Sequence, residues 1–137
     1  MLRLCVCLLV AGAILFAPAI APAADAPVSR GFFGVMVNGP LDDASVDLDA
    51  QAVRMKASGV QSWRVEMAWD LIEPAPGRFA WAATDRKVLA AARQGIDVLG
   101  LALRAPAWAT GGAGNPFTPP RRPADFAAYL RALVARY

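Results

Sequence analysis

One plan of strand, loop and helix recurs three times from residue 31 onward, and it constrains the fold more than any other feature. The run GFFGVMV (31–37) is short, apolar, aromatic and β-branched, which reads as a strand. Residues 47–58, DLDAQAVRMKAS, place Leu48, Ala52 and Met55 at i, i+4 and i+7. Asp47 stands at the front of that segment and Gly59 just behind it, both helix-boundary signals. VQSWRVEMA (60–68) reads as a second strand, TDRKVLAAARQ (84–94) as a helix closed by Gly95, and IDVLGLAL (96–103) as a third strand. The last segment, PADFAAYLRALVARY (123–137), puts Phe126, Tyr129, Leu130, Leu133, Val134 and Tyr137 on one helical stripe.

The two helix-to-strand joints, KASGVQSWRV and AARQGIDVLG, match each other: a polar helix end runs through Gly into a strand. Strand starts lie roughly 30–35 residues apart, the length of a βα unit, and three such units imply a parallel sheet with right-handed crossovers. The expected class is therefore α/β. The strand-to-helix loops are long, about 9, 16 and 20 residues where two to six is usual, and loops of that length in compact domains tend to be functional. All three leave the carboxyl ends of strands, where barrels and open α/β sheets alike keep their sites. No Gly-x-Gly-x-x-Gly follows the first strand, so a dinucleotide fold has no support. The GGAG cluster at 111–114 has no helix directly after it and reads as a flexible loop.

Upstream of the array, Arg3 precedes an uncharged apolar run over residues 4–17, followed by APAIAPAADAP. These are the three parts of a secretory signal, with Ala21 and Ala23 at the −3 and −1 positions. The rival reading, a membrane anchor, needs about 20 apolar residues, and this run has about 14 before Pro18 ends it. The expected organisation is a signal peptide over 1–23, a linker over 24–30, and the array over 31–137. The protein is then secreted or periplasmic and free of the membrane after cleavage. Cys5 and Cys7 both lie in the apolar run, so the mature chain has no thiol and no disulfide.

The inventory of side chains excludes much chemistry. With no histidine, a His-ligated zinc site, a Ser-His-Asp triad and a Cys-His pair are all ruled out within the chain. No metal and no cofactor is expected. The net charge of +3 comes from scattered arginines with no basic run, so nucleic acid is not an expected partner.

Alternation along the second strand puts Trp63, Val65 and Met67 on one face and Ser62, Arg64, Glu66 and Ala68 on the other. The apolar face suits a helix layer. Buried charges on the opposite face are expensive unless paired. Two readings stay open: Arg64 and Glu66 pair with neighbours for structure, or Arg64 holds a catalytic carboxylate from a later strand. In the second case the guanidinium keeps its partner ionised as a nucleophile. The loops add Trp69, Glu73, a Pro-x-Pro-Gly turn (Pro74, Pro76, Gly77), Phe79 and Trp81, then Trp108 beyond the third strand. Indoles at the mouth of a sheet suit the C–H faces of sugar rings. Trp108 and Trp69 are the candidate platforms, whereas Trp81 reads as a loop anchor.

Residues 59–109 also resemble the second and third βα units of the (β/α)8 glycoside hydrolases of the cellulase and β-galactosidase clan. The resemblance is carried by the strand holding Arg64, then Trp69, Ile72-Glu73-Pro74, Gly77-Arg78-Phe79, Trp81 and Asp85. Gly95-Ile96 and Pro106-Ala107-Trp108 complete it. The third strand lacks the histidine of the cellulase branch, which points toward a β-galactosidase or β-xylosidase type.

The resemblance implies the first three units of a TIM (β/α)8 barrel and a retaining mechanism, with two glutamates roughly 5–5.5 Å apart. In that family the acid/base ends the fourth strand in an Asn-Glu-Pro-like segment, and the nucleophile ends the seventh. Glu66 and Glu73, the only glutamates, match neither position. The resemblance therefore assigns Arg64 to support a carboxylate, Trp108 to bind sugar, and no catalytic residue to this chain. A full barrel takes about 250 residues, so the expectation is an incomplete barrel, inactive alone, from an enzyme acting on oligo- or polysaccharides. Self-association through open sheet edges is expected as well. The alternative is a small exported, non-catalytic carbohydrate-binding or interaction module using Trp69 and Trp108.

Overall fold

The computed structural model describes Ser29 and residues 31–137. The expected signal peptide, with Cys5 and Cys7, and all of the expected linker but Ser29 lie outside the described residues. Three parallel strands, β1 (Gly34–Val37), β2 (Ser62–Ala68) and β3 (Asp97–Leu103), form one sheet in the order β1-β2-β3. Helices α1 (Leu48–Ala57), α3 (Ala82–Arg93) and α5 (Pro123–Arg136) follow the successive strands. The α/β character and the parallel pairing expected from the repeat are both present.

Each connection has a local cause. The Asp47 carboxylate caps α1 by accepting a hydrogen bond from Ala50 N at 2.9 Å. Gly59 and Gly95 sit just past α1 and α3 with φ of +88° and +59°. That conformation ends a helix cheaply only where Cβ is missing. The return into the next strand is therefore short and sharp at both joints.

Register determines which side chains meet. Val35 and Val37 pair with Trp63 and Val65, and Trp63, Val65 and Met67 pair with Val98, Gly100 and Ala102. This face is the covered one: Val37, Trp63, Val65 and Met67 are buried against Leu48, Ala52, Ala90, Ala91 and Tyr129 of the helices. The Tyr129 hydroxyl donates to Met67 O at 2.8 Å, tying α5 to the end of β2. Burial pushes the Tyr129 phenol well above its ordinary pKa. The opposite face carries Met36, Arg64, Glu66 and Leu99, and among the described residues no helix covers it: Leu99 is 64% exposed and Met36 47%.

Several boundaries differ from the expected ones. β1 begins at Gly34 rather than residue 31, leaving Phe32 and Phe33 exposed and stacked edge-to-face on each other. The two longest loops contain single helical turns, α2 (Trp69–Ile72) and α4 (Ala107–Thr110). Four residues are too few to display a helical period in sequence. The stripe on α5 is covered only in part, for Val134 is 78% exposed. Among the described residues no helix is long and apolar enough to cross a membrane.

Candidate functional site

The carboxyl ends of the strands open into a groove of about 470 Å³. Asp42 after β1, Glu66 on β2, Leu71 on α2, Thr84 and Lys87 on α3, and Arg104 after β3 line it. Most of its charges are already engaged. Lys87 pairs with Asp42, and Arg86 donates to the carbonyls of Ala44 and Asp43 at 2.9 and 3.0 Å. Together they clamp the first loop against α3. Arg104 pairs with Asp70 at 2.7 Å, and Asp70 N donates to Arg104 O at 2.9 Å. Arg104 is the one non-glycine residue with positive φ (65°) among the described residues, a conformation that costs on the order of 1 kcal/mol or more. Its Nε and Asp70 Oδ1 are buried without partners, so the pair is not fully satisfied.

Arg64 and Glu66 share the bare face, as strand alternation requires. Arg64 is exposed and Glu66 half-buried, and neither has an ion-pair partner among the described residues. Pairing with neighbours for structure, one of the two readings, has no counterpart among the described residues. Glu66 is the acidic group of the groove that no described residue engages.

The indoles are placed differently from the expectation. Trp69 is fully buried. It stacks on Tyr129 at 5.4 Å with 18° between the rings and meets Trp108 edge-on at 5.4 Å. No ring face is left for a sugar, which corrects the reading of Trp69 as a platform: the first residue of a one-turn helix directly after β2 turns inward under α5. Trp108 is half-buried, and its Nε1 donates to Glu73 O at 3.0 Å. Trp81 is held by Phe79, stacked at 5.1 Å, with the Arg136 guanidinium 5.8 Å from its ring. Arg136 also binds Asp85 and holds that carboxyl below its ordinary pKa, with the Tyr137 hydroxyl assisting.

Glu73 is the residue that sequence reasoning undervalued. It is 6% exposed, and its carboxylate accepts from Trp69 Nε1 and from Gly77 N, each at 2.7 Å. It joins α2, the Pro-x-Pro-Gly turn and, through its carbonyl, Trp108. The signal was present as spacing, since Trp69, Glu73 and Gly77 fall at i, i+4 and i+8. Its carboxylate is engaged and Glu66 is free, so the described residues hold no pair of free glutamates. Among the described residues no cluster of His, Cys, Asp and Glu is placed to hold a metal. No protein-family model matches the chain, and neither does any curated protein.

Proposed function

We propose that this chain is the exported amino-terminal part of a (β/α)8 glycoside hydrolase, supplying three βα units and the floor of a saccharide-binding groove. The single observation that carries this reading is the one-sided sheet. Strands in the sequential order β1-β2-β3 with every long helix on one face follow the winding of a barrel. One half of a doubly wound sheet has the same strand order, but no Gly-x-Gly-x-x-Gly follows β1 to support that fold. In a barrel the bare face becomes the interior, and Arg64 then lies where a later strand would deliver a carboxylate. A guanidinium there donates two parallel hydrogen bonds and keeps that carboxylate ionised. Retaining hydrolysis needs two carboxylates held as a pair. Glu73 is engaged in its turn, so this chain supports the reaction and does not carry it. The carbohydrate-module alternative loses half its platform with Trp69 buried.

The test compares the chain alone with the product of its reading frame continued past Tyr137, on a panel of aryl β-glycosides. The chain alone should show no turnover. The extended product should hydrolyse with retention, and Arg64→Lys should lower its turnover far more than its melting temperature. No hydrolysis by the extended product, or unchanged turnover in Arg64→Lys beside a large loss of stability, overturns the reading.

A further inference from the structure

Asn38 follows the last residue of β1 and opens the single 3-10 turn Gly39–Asp42. An asparagine in that place normally accepts from a backbone N–H two or three residues on. Pro40 removes one of those donors, and the Asn38 side chain makes no capping hydrogen bond. Its amide is left unengaged among the described residues, directly before a glycine. Gly39 is exposed, its φ is +64°, and an added Cβ would meet nothing within 4 Å. Asn38 itself stands at ψ −173°, past the roughly +135° of an ordinary strand. That rotation carries the Gly39 nitrogen toward eclipse with the Asn38 Cβ, the arrangement a five-membered imide requires.

We propose that the Asn38–Gly39 peptide is a self-modification site, at which asparagine converts to aspartate and isoaspartate, and that Asp42 holds the rate down. The Gly39 nitrogen, after giving its proton to hydroxide, forms a bond to Asn38 Cγ. The Cγ–Nδ2 bond breaks, and Nδ2 takes a proton from water and leaves as ammonia. Water then opens the cyclic imide at either carbonyl. Opening at Cγ leaves aspartate. Opening at the main-chain carbon leaves isoaspartate, whose backbone is one methylene longer. The sequence of steps is redox-neutral and consumes only water.

Asp42 opposes the first step in two ways. Its Oδ2 accepts from Gly39 N at 2.8 Å, so a carboxylate holds the proton that must leave. Its negative charge also lies beside the nitrogen that must become an anion. A carboxylate is far too weak a base to take that proton itself. The other oxygen of Asp42 pairs with Lys87 on α3, so one side chain latches the turn to the helix layer. Isoaspartate lengthens the backbone inside this latch and unfastens the first loop from α3. Asn115, the other asparagine of the sequence, is a built-in control. It precedes Pro116, whose nitrogen has no proton to lose, and its Oδ1 accepts from Phe117 N at 2.9 Å. The reacting atoms belong to two adjacent residues, so the site is independent of the glycoside hydrolase reading and of whatever covers the sheet.

Incubating the full chain in mildly alkaline buffer and mapping its tryptic peptides by mass tests this. Peptide 31–54, which contains Asn38, should gain the mass difference between an amide and an acid. It should also split into two products of equal mass, aspartate and isoaspartate. Peptide 105–121, which contains Asn115, should stay unchanged. Asp42→Ala should raise the rate at least about threefold with the far-UV spectrum preserved, because a charge beside the nascent anion is removed. Asp42→Ser, which keeps a short acceptor without the charge, should fall between wild type and Asp42→Ala. Asn38→Gln should leave peptide 31–54 unchanged over the same period. A single aspartate product means direct hydrolysis and overturns the proposal. So does a folded chain whose Asn38 never converts while the urea-unfolded chain does, or an Asp42→Ala chain that converts no faster than wild type.

Discussion

Replacing Glu73 should expose how much of the second loop hangs on one buried carboxylate. The side chain is 6% exposed and accepts from Trp69 Nε1 and Gly77 N, both at 2.7 Å. Hydrogen bonds to a charged group are worth about 1.5–3 kcal/mol each, and a buried donor left without a partner costs about as much. Water can reach Gly77, which is exposed, but not Trp69, which is fully buried. The indole N–H therefore dominates, and Glu73→Ala should cost about 2–4 kcal/mol. At roughly 4–6 °C per kcal/mol for a domain of this size, the melting temperature should fall by roughly 10–20 °C. Glu73→Gln keeps one acceptor and turns an amide N–H toward the other donor, so about half that loss is expected. Urea unfolding followed by circular dichroism and indole fluorescence measures both. A cycle with Trp69→Phe isolates the pair: without the indole N–H, Glu73→Ala should cost under about 1 kcal/mol. A Glu73→Ala variant within about 0.5 kcal/mol of wild type would refute the hub.

Trp63 is fully buried, yet its Nε1 has no partner among the described residues. Trp63→Phe loses about 1–2 kcal/mol of packing but removes an orphaned N–H worth about 1–3 kcal/mol. The urea midpoint should barely move, and a loss above about 2 kcal/mol would contradict this. The Asp85 carboxyl is held below its usual 3.8 by Arg136 and Tyr137. Its stabilising contribution is thus complete above pH 3.8 and is lost as pH falls through the lower folded value. Asp85→Asn should flatten the acid limb of the melting-temperature profile below that pH, and an unchanged limb would exclude the linkage.

The scaffold was legible because its signals are local and repeated. Asp47 caps α1, Gly59 and Gly95 end helices at positive φ, and the 2.0 period of β2 separates Trp63, Val65 and Met67 from Arg64 and Glu66. The site was legible only in part. Trp69 reads as a loop aromatic, and its burial depends on Tyr129, sixty residues away on α5. Glu73 looks like a solvated carboxylate beside a proline turn, and only the fold brings the two donors to it. Arg104 ends an apolar strand with nothing in its neighbours to announce positive φ; the Asp70 pair that holds it is again tertiary.

The nucleotide sequence following the Tyr137 codon is the most direct measurement of the central claim, a three-unit portion of a glycoside hydrolase barrel. The expected result is a fourth strand ending in an Asn-Glu-Pro-like segment within the next few tens of codons, in any frame. A stop codon followed by unrelated sequence would contradict it.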